Sequence, residues 1–410
     1  MVRGHLRTIG ESAWHRTSEL SRRSQAATVK DMTNTKLPLS TIDPDGLLEY
    51  SAVFSDRSLN HMSARFIGVM QELQAILRET YDASSMAVVP GGGTFAMESV
   101  ARQFVRGKKA LVIRTGNFSY RWTQIFETGN LTDSAIVLNA EPTGDAERPS
   151  YVPPAADAAA ARIREERPSV VIAAHVETAA GLELPKEYIT ELAKATHDAG
   201  GLFVLDCVAA GTKWVDMKEC GVDILITAPQ KGWSGSPSTG YIMFSEAARA
   251  ELDTTTSDSF AMDLKKWTAI SEGYASGSAA YHATLPTDTI QHNLALMKEA
   301  KEVGLDTLTE RQVELGTKIR QVLADRGFVS VAAPGYEASS IVVMHATTPE
   351  QASGAAFKQA GIQIASGVPL HVGEPESFST FRIGLFGLDK WADVDAAVAR
   401  FTEALDKVER

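Results

Sequence analysis

Two passages of this chain end in groups that could do chemistry together. Gly201-Leu-Phe-Val-Leu-Asp206 is an apolar run closing on a carboxylate, and Asp223-Ile-Leu-Ile-Thr-Ala-Pro-Gln-Lys231 is another that closes on a lysine. Short continuous apolar runs of this kind read as buried strands. Both side chains would then emerge at strand ends, the edge where open α/β sheets bind their ligands. A lysine amine can condense with an aldehyde and, once displaced, act as a base. Taken alone, Asp206 could be a turn or capping acid and Lys231 a solvated lysine in a glycine-rich loop. Their spacing, about one strand, connection and strand, is what sets them in one pocket. A third passage, Val89-Pro-Gly-Gly-Gly-Thr94, runs from a strand through glycines into a predicted helix, Phe95 to Val105. Glycines let backbone amides approach an anion, and a helix N-terminus adds unpaired N–H groups. It is not a dinucleotide fingerprint, because Gly93 is followed by Thr94, Phe95 and Ala96 in place of the required spacing. A lysine, an acid for a ring nitrogen and an anion cradle are the parts that pyridoxal phosphate needs.

The elements that must hold these groups alternate. The segment Met62 to Tyr81 puts Phe66, Val69, Met70, Leu73, Ile76 and Leu77 on one helical face. Strand-like runs follow at Met86–Val89, Ala110–Arg114, Ala135–Leu138, Val170–Ala174, Leu202–Leu205, Ile224–Thr227 and Tyr241–Phe244, most of them separated by helix-length segments. Such alternation predicts an α/β fold with a mainly parallel sheet. The runs are apolar throughout, as expected when helices cover both faces. Pro185, then Lys186 to Ala199, then Gly200-Gly201 is a helix with a proline start and a glycine stop. From about Thr287 the rhythm changes to long helices, one running through Leu305 and another over Leu308 to Asp325. Strands at Val329–Val331, Ile341–Met344 and Thr380–Gly384 and helices at Gln351–Ala360 and Lys390–Val408 complete a smaller C-terminal α+β domain. The expected division is 31–286 for the large domain and 287–410 for the small one, with the large domain's N-terminal segment contacting the small domain.

Composition narrows the function classes. The 410 residues are 44% hydrophobic and 22% charged, ordinary for a soluble globular protein. No apolar run reaches the roughly 18 residues of a membrane span. The net charge of -11 argues against a nucleic-acid partner. Two cysteines, Cys207 and Cys220, form neither a C-x-x-C pair nor a zinc cluster, so no metal is expected and a reducing, cytoplasmic location is. Residues 1–30 hold six Lys or Arg against two Glu without a helical apolar stripe. They are expected to be a disordered basic extension, or to follow an upstream start codon, and not to be a targeting segment.

Gly92-Gly-Thr94, Gly116-Asn-Phe-Ser-Tyr-Arg121, His175-Val-Glu-Thr-Ala-Ala-Gly181, Leu205-Asp-Cys-Val208, Gln230-Lys231, Tyr281-His-Ala-Thr284 and Phe381-Arg-Ile-Gly384 occur in the order found in class V aminotransferases. The chain resembles that family from about residue 40 to 400, the alanine/serine-glyoxylate branch in particular. The resemblance implies a fold type I pyridoxal-phosphate-dependent transferase. It assigns the cofactor aldehyde to Lys231 and the pyridine nitrogen to Asp206. Gly92, Gly93, Thr94 and Gln230 would contact the phosphate, Phe118 and Val208 would sandwich the ring, and Thr178 would reach its hydroxyl region. Without the family match, Phe118 and Val208 read equally well as core residues. Tyr281 and Thr284 resemble a pair that reaches the phosphate of the other subunit of a homodimer, and Arg382 the group that clamps the substrate carboxylate. An arginine facing water from an edge strand is the competing reading of Arg382. His175 and His282 read as structural. Ala209 stands where the family often has serine, and Ala228-Pro229 where it often has Gly-Ser, which bears on the finer substrate pocket.

The reaction this implies moves an amino group from a small amino acid (alanine, serine or aspartate) to a 2-oxo acid such as glyoxylate or pyruvate. A lyase or decarboxylase on the same fold is the alternative, since lysine and aspartate serve those reactions too. A desulfurase would need a mobile cysteine, and none occurs in the C-terminal part. A ligand-sensing regulator would need a DNA-binding domain that 30 residues are too few to supply.

Overall fold

A computed structural model describes residues 37–408. The predicted extension at residues 1–30 lies outside the described residues. Residues 37–45 belong to a unit of their own and contain turns but no helix or strand. The second unit, from Gly46 onward, carries everything that follows.

Its first helix, Ala64–Tyr81, is capped by Ser63, whose hydroxyl accepts from the Phe66 N–H at 3.1 Å. It ends where Asp82 turns left-handed. Phe66, Val69, Met70, Leu73, Ile76 and Leu77 are all buried on it, each worth about 1.5 to 3 kcal/mol of transfer free energy for the larger side chains. Nine strands follow before the C-terminal third: β1 (Ser85–Pro90), β2 (Ala110–Arg114), β3 (Ala135–Asn139), β4 (Glu141–Thr143), β5 (Ser150–Val152), β6 (Val170–Ala174), β7 (Leu202–Asp206), β8 (Ile224–Thr227) and β9 (Thr239–Phe244). Seven of them make one sheet in the order β1-β9-β8-β7-β6-β2-β3. The pairs β2–β3, β2–β6, β6–β7 and β7–β8 are parallel, while β9 runs antiparallel to both its neighbours. Strands β6 and β8 are buried at every position, as the unbroken apolar runs predicted, but the equally apolar β3 is not: it forms the sheet edge and has no buried residue. The helix Lys186–Ala199 follows Pro185 and stops at a left-handed Gly200.

Beyond the helices Thr287–Val303 and Leu305–Ala324 lies a three-stranded antiparallel sheet of β10 (Ile341–His345), β11 (Ala365–Ser366) and β12 (Thr380–Gly384), with β12 central. Three sequence expectations need correction here. Val329–Val331 is not a strand: Ser330 makes only an isolated bridge to Met344. The helix predicted over 351–360 is two short ones, Pro349–Ala352 and Ala355–Gln359, parted by a left-handed Gly354. That over 390–408 is likewise two, Leu388–Ala392 and Val394–Leu405, because Asp393 caps the second by accepting from the Ala396 N–H at 2.9 Å. Among the described residues no helix is long and apolar enough to cross a membrane.

Candidate active site

The parallel strands β7 and β8 are hydrogen-bonded neighbours, with Asp206 opposite Ile226. Asp206 is therefore placed at the carboxyl edge of the sheet, as predicted. Lys231 is not at a strand end: β8 stops at Thr227, and the lysine stands in the turn that follows. Asp206 is buried, and its Oδ1 accepts from the Val208 N–H at 3.1 Å. Burial pushes its carboxyl up to about 6 against that hydrogen bond. A buried acid so raised favours a cationic partner, which would restore the charged form.

The glycine run approaches the same edge. Gly92, with φ 97°, opens the helix Gly93–Phe104 with no side-chain cap, so its first N–H groups are available to a ligand. At Gly93 a Cβ would lie 2.8 Å from a Val208 methyl, so only glycine lets the cradle close on the Val208 side chain.

The Lys231 turn is held from several sides. Gly232 packs backbone to backbone on Gly211, where a Cβ would collide with the Gly211 carbonyl. The Asn293 amide oxygen accepts from the Ser236 N–H at 2.8 Å, and the Ser234 hydroxyl accepts from the Leu388 N–H at 2.8 Å. The lysine Nζ sits 4.7 Å from the centre of the Phe386 ring. Burial first, and then the Arg382 charge, hold its amine below the ordinary lysine range. A cavity of about 370 Å³ borders Lys231 and Gln230, and the Gln230 Oε1 is buried without a hydrogen-bond partner.

Phe118 stands at the first turn of the helix Asn117–Gly129, anchored by a residue to which the sequence reading gave no role. Glu177, fully buried, accepts from the backbone N–H groups of Phe118 (3.2 Å), Ser119 (2.9 Å) and Ala179 (2.9 Å) and from the Ser119 hydroxyl (2.8 Å). An acid close behind the fully apolar strand β6 was the available signal, since a buried acid must find donors. Two guanidinium groups approach the Phe118 ring, Arg121 at 4.9 Å and Arg382 at 5.6 Å. Arg382 lies on the central strand of its sheet, so the edge-strand reading falls away. Its Nε donates to the Ser366 carbonyl at 2.8 Å, and no carboxylate among the described residues is in salt-bridge range. Burial lowers its pKa, with Glu177 opposing.

Contacts link Gly93, Val208 and Asp206 on one side, and Thr94, Arg121, Phe118 and Arg382 on the other, while Lys231 adjoins Gln230 and Phe386 and feels the Arg382 charge. Thr178 is buried next to Glu177. Tyr281 and Thr284 stand apart: both are exposed, and Tyr281 OH meets Thr284 Oγ1 at 3.2 Å. His175 is buried, and the His282 ring pairs with the Phe260 carbonyl at 2.8 Å, consistent with structural roles. Cys207 and Cys220 are buried free thiols. Among the described residues no group of His, Cys, Asp and Glu is placed to hold a metal.

A seven-stranded, mostly parallel sheet with a small C-terminal antiparallel sheet matches the structures of fold type I aminotransferases. The match to the aminotransferase class-V family covers residues 35–396, and the chain belongs to that family as a transaminase. It is 26% identical over 359 residues to a 2-aminoethylphosphonate–pyruvate transaminase of Pseudomonas fluorescens, covering 86% of this chain and 90% of that one. It is 25% identical over 353 residues to alanine–glyoxylate aminotransferase 1 of Saccharomyces cerevisiae, covering 81% and 86%. The crystal structure of an alanine–glyoxylate aminotransferase from Nostoc sp. superposes with a TM-score of 0.72 at 20% identity, covering 86% of this chain and 89% of that one.

The family uses pyridoxal phosphate. The residues here fit such a group on three observations: the unpartnered Gln230 amide oxygen, the cradle that a Cβ at Gly93 would fill, and a buried acid with no cation in salt-bridge range among the described residues.

Proposed function

We propose that this protein is a pyridoxal-phosphate-dependent transaminase that moves the amino group of a small amino acid to glyoxylate or pyruvate. The observation that carries the reading is a buried acid at the end of β7 and a half-buried lysine just beyond the neighbouring β8, with the glycine cradle closing on Val208 beside the acid. Lys231 would hold the aldehyde and later shuttle a proton, a task suited to an amine already held below its ordinary pKa. Asp206 would face the ring nitrogen. Gly92, Gly93, Thr94 and Gln230 would receive the phosphate, Phe118 and Val208 the two ring faces, and Thr178 the hydroxyl region. The cofactor, when bound, supplies the electron sink for the substrate Cα. Arg382, short of a carboxylate of its own, would grip the substrate's through its planar fork.

In the same reading residues 287–410 form a small domain that brings Arg382 to the large one, and Tyr281 and Thr284 complete the site of a second subunit. The names of the relatives widen the donor set to test: alanine, serine, aspartate and 2-aminoethylphosphonate, each with glyoxylate, pyruvate and 2-oxoglutarate. The expected outcome is the donor's carbonyl product with glyoxylate or pyruvate as acceptor, an oxo acid from alanine, serine or aspartate and an aldehyde from 2-aminoethylphosphonate. The alanine–pyruvate pair is followed by isotope exchange because it makes no net product. Activity is lost entirely in Lys231→Ala together with the borohydride-reducible lysine adduct. An adduct that persists in Lys231→Ala would remove the assignment of that lysine.

A further inference from the structure

The proposed phosphate contacts Gly92, Gly93, Thr94, Gln230, Tyr281 and Thr284 are all uncharged. A phosphate monoester carries nearly two negative charges at neutral pH, and a helix N-terminus offsets only about half of one. Anion sites of this kind gain most from a charge-assisted hydrogen bond. A cation donates a hydrogen bond to one member of the set. Arg121, in the second turn of the helix Asn117–Gly129, donates from Nη1 to the Thr94 hydroxyl at 3.0 Å, and its guanidinium lies 4.9 Å from the centre of the Phe118 ring. Two other half-buried arginines are committed to acids, Arg102 to Glu98 and Asp258 and Arg249 to Asp253 and Glu272. Arg121 has no carboxylate in salt-bridge range among the described residues.

We infer that Arg121 is the cationic partner of the cofactor's phosphate, reached through Thr94; this rests on the cofactor reading above. The competing assignment is a second anionic group on the substrate. The hydrogen bond favours the phosphate, because Thr94 belongs to the cradle, whereas Arg382 already serves the substrate end. Phe118 contributes a face that holds a guanidinium without neutralising it.

The test compares pyridoxal phosphate with pyridoxal, which lacks the phosphate. The cofactor-free full-length protein and its Arg121→Met and Arg121→Lys variants are titrated with each aldehyde, following visible absorbance and borohydride labelling of Lys231. Arg121→Met should weaken pyridoxal phosphate about 10- to 100-fold, the range for a lost hydrogen bond to a charged group. Arg121→Lys should recover most of that, and pyridoxal should bind all three proteins alike. Equal losses for both aldehydes would overturn the inference by making Arg121 a support for Phe118. Unchanged cofactor affinity with a raised KM for the amino donor would overturn it in favour of the substrate. Should Arg121→Met fail to fold, Arg121→Gln carries the same comparison. Labelling of Lys231 keeps the two claims apart: with label present and no discrimination between the aldehydes, only the Arg121 inference fails, and with no label in the unaltered protein the cofactor reading fails.

Discussion

At the carboxyl edge of β7 and β8, side chains are walled in: Asp206 is 6% exposed, Glu177 is fully buried with four hydrogen bonds, and the Lys231 turn is braced by Gly211, Asn293 and Leu388. The loop ahead of the helix Thr287–Val303 is the opposite. Tyr281 is 55% exposed, and its hydroxyl meets only that of Thr284. The first region meets its desolvation costs within one chain. The second displays polar tips on a surface loop, hydrogen-bonded to each other among the described residues. The contrast is what a site divided between two copies of the chain would produce, and it can be broken at either end.

The largest effect is expected from Arg382, which reaches Phe118 beside the walled region from the smaller sheet. Arg382→Ala should cost about 2 to 5 kcal/mol in kcat/KM for the amino and the oxo acid alike, since one guanidinium would hold the carboxylate in both half-reactions. Unchanged kcat/KM for both would leave Arg382 without a substrate role.

Asp206 offers an effect on stability. Its pKa is raised on folding from 3.8 to about 6, so the native state binds more protons than the unfolded one between those values. Stability of the cofactor-free protein should therefore fall as pH rises through that window and stay lower above it, by on the order of 3 kcal/mol. Asp206→Asn keeps the acceptor for the Val208 N–H and should raise the unfolding temperature of the cofactor-free protein above about pH 7, the gain vanishing towards pH 4. With cofactor bound the order should reverse. A gain that is independent of pH would disconnect it from the buried charge.

The exposed loop gives the smallest signal and the sharpest geometry. Lys231→Ala and the double variant Tyr281→Phe/Thr284→Ala, each inactive, are mixed so that protomers exchange. If the sites are shared across a two-fold axis, each mixed dimer regains one intact site. Half the dimers being mixed, roughly a quarter of full activity should return. Background activity after exchange is confirmed by native mass spectrometry would place the loop's hydroxyls in their own chain's service.

Much of the walled region was legible because burial writes itself into sequence. Strands such as Val170–Ala174 must be apolar on both faces, and the carboxylate closing Leu202–Asp206 stands out against them. The C-terminal third was read less well. Gly354 and Asp393 interrupt otherwise helical patterns through a left-handed turn and a cap, local choices that apolar spacing does not register. Glu177 and Arg121 went unassigned although both stand in the quoted motifs. Their parts depend on which backbone amides and hydroxyls lie opposite, and only folding settles that.

The glycine beneath the lysine has a further consequence. Because Gly232 is pressed against the Gly211 carbonyl, the root of Lys231 is fixed, and any travel of its amine must come from rotation about the bonds of its own side chain. The lysine is in that sense a crane on a bolted base: its sweep is set by the length of the arm, and replacing it with a residue one methylene shorter or longer should shift where the amine can deliver a proton while leaving the platform unchanged.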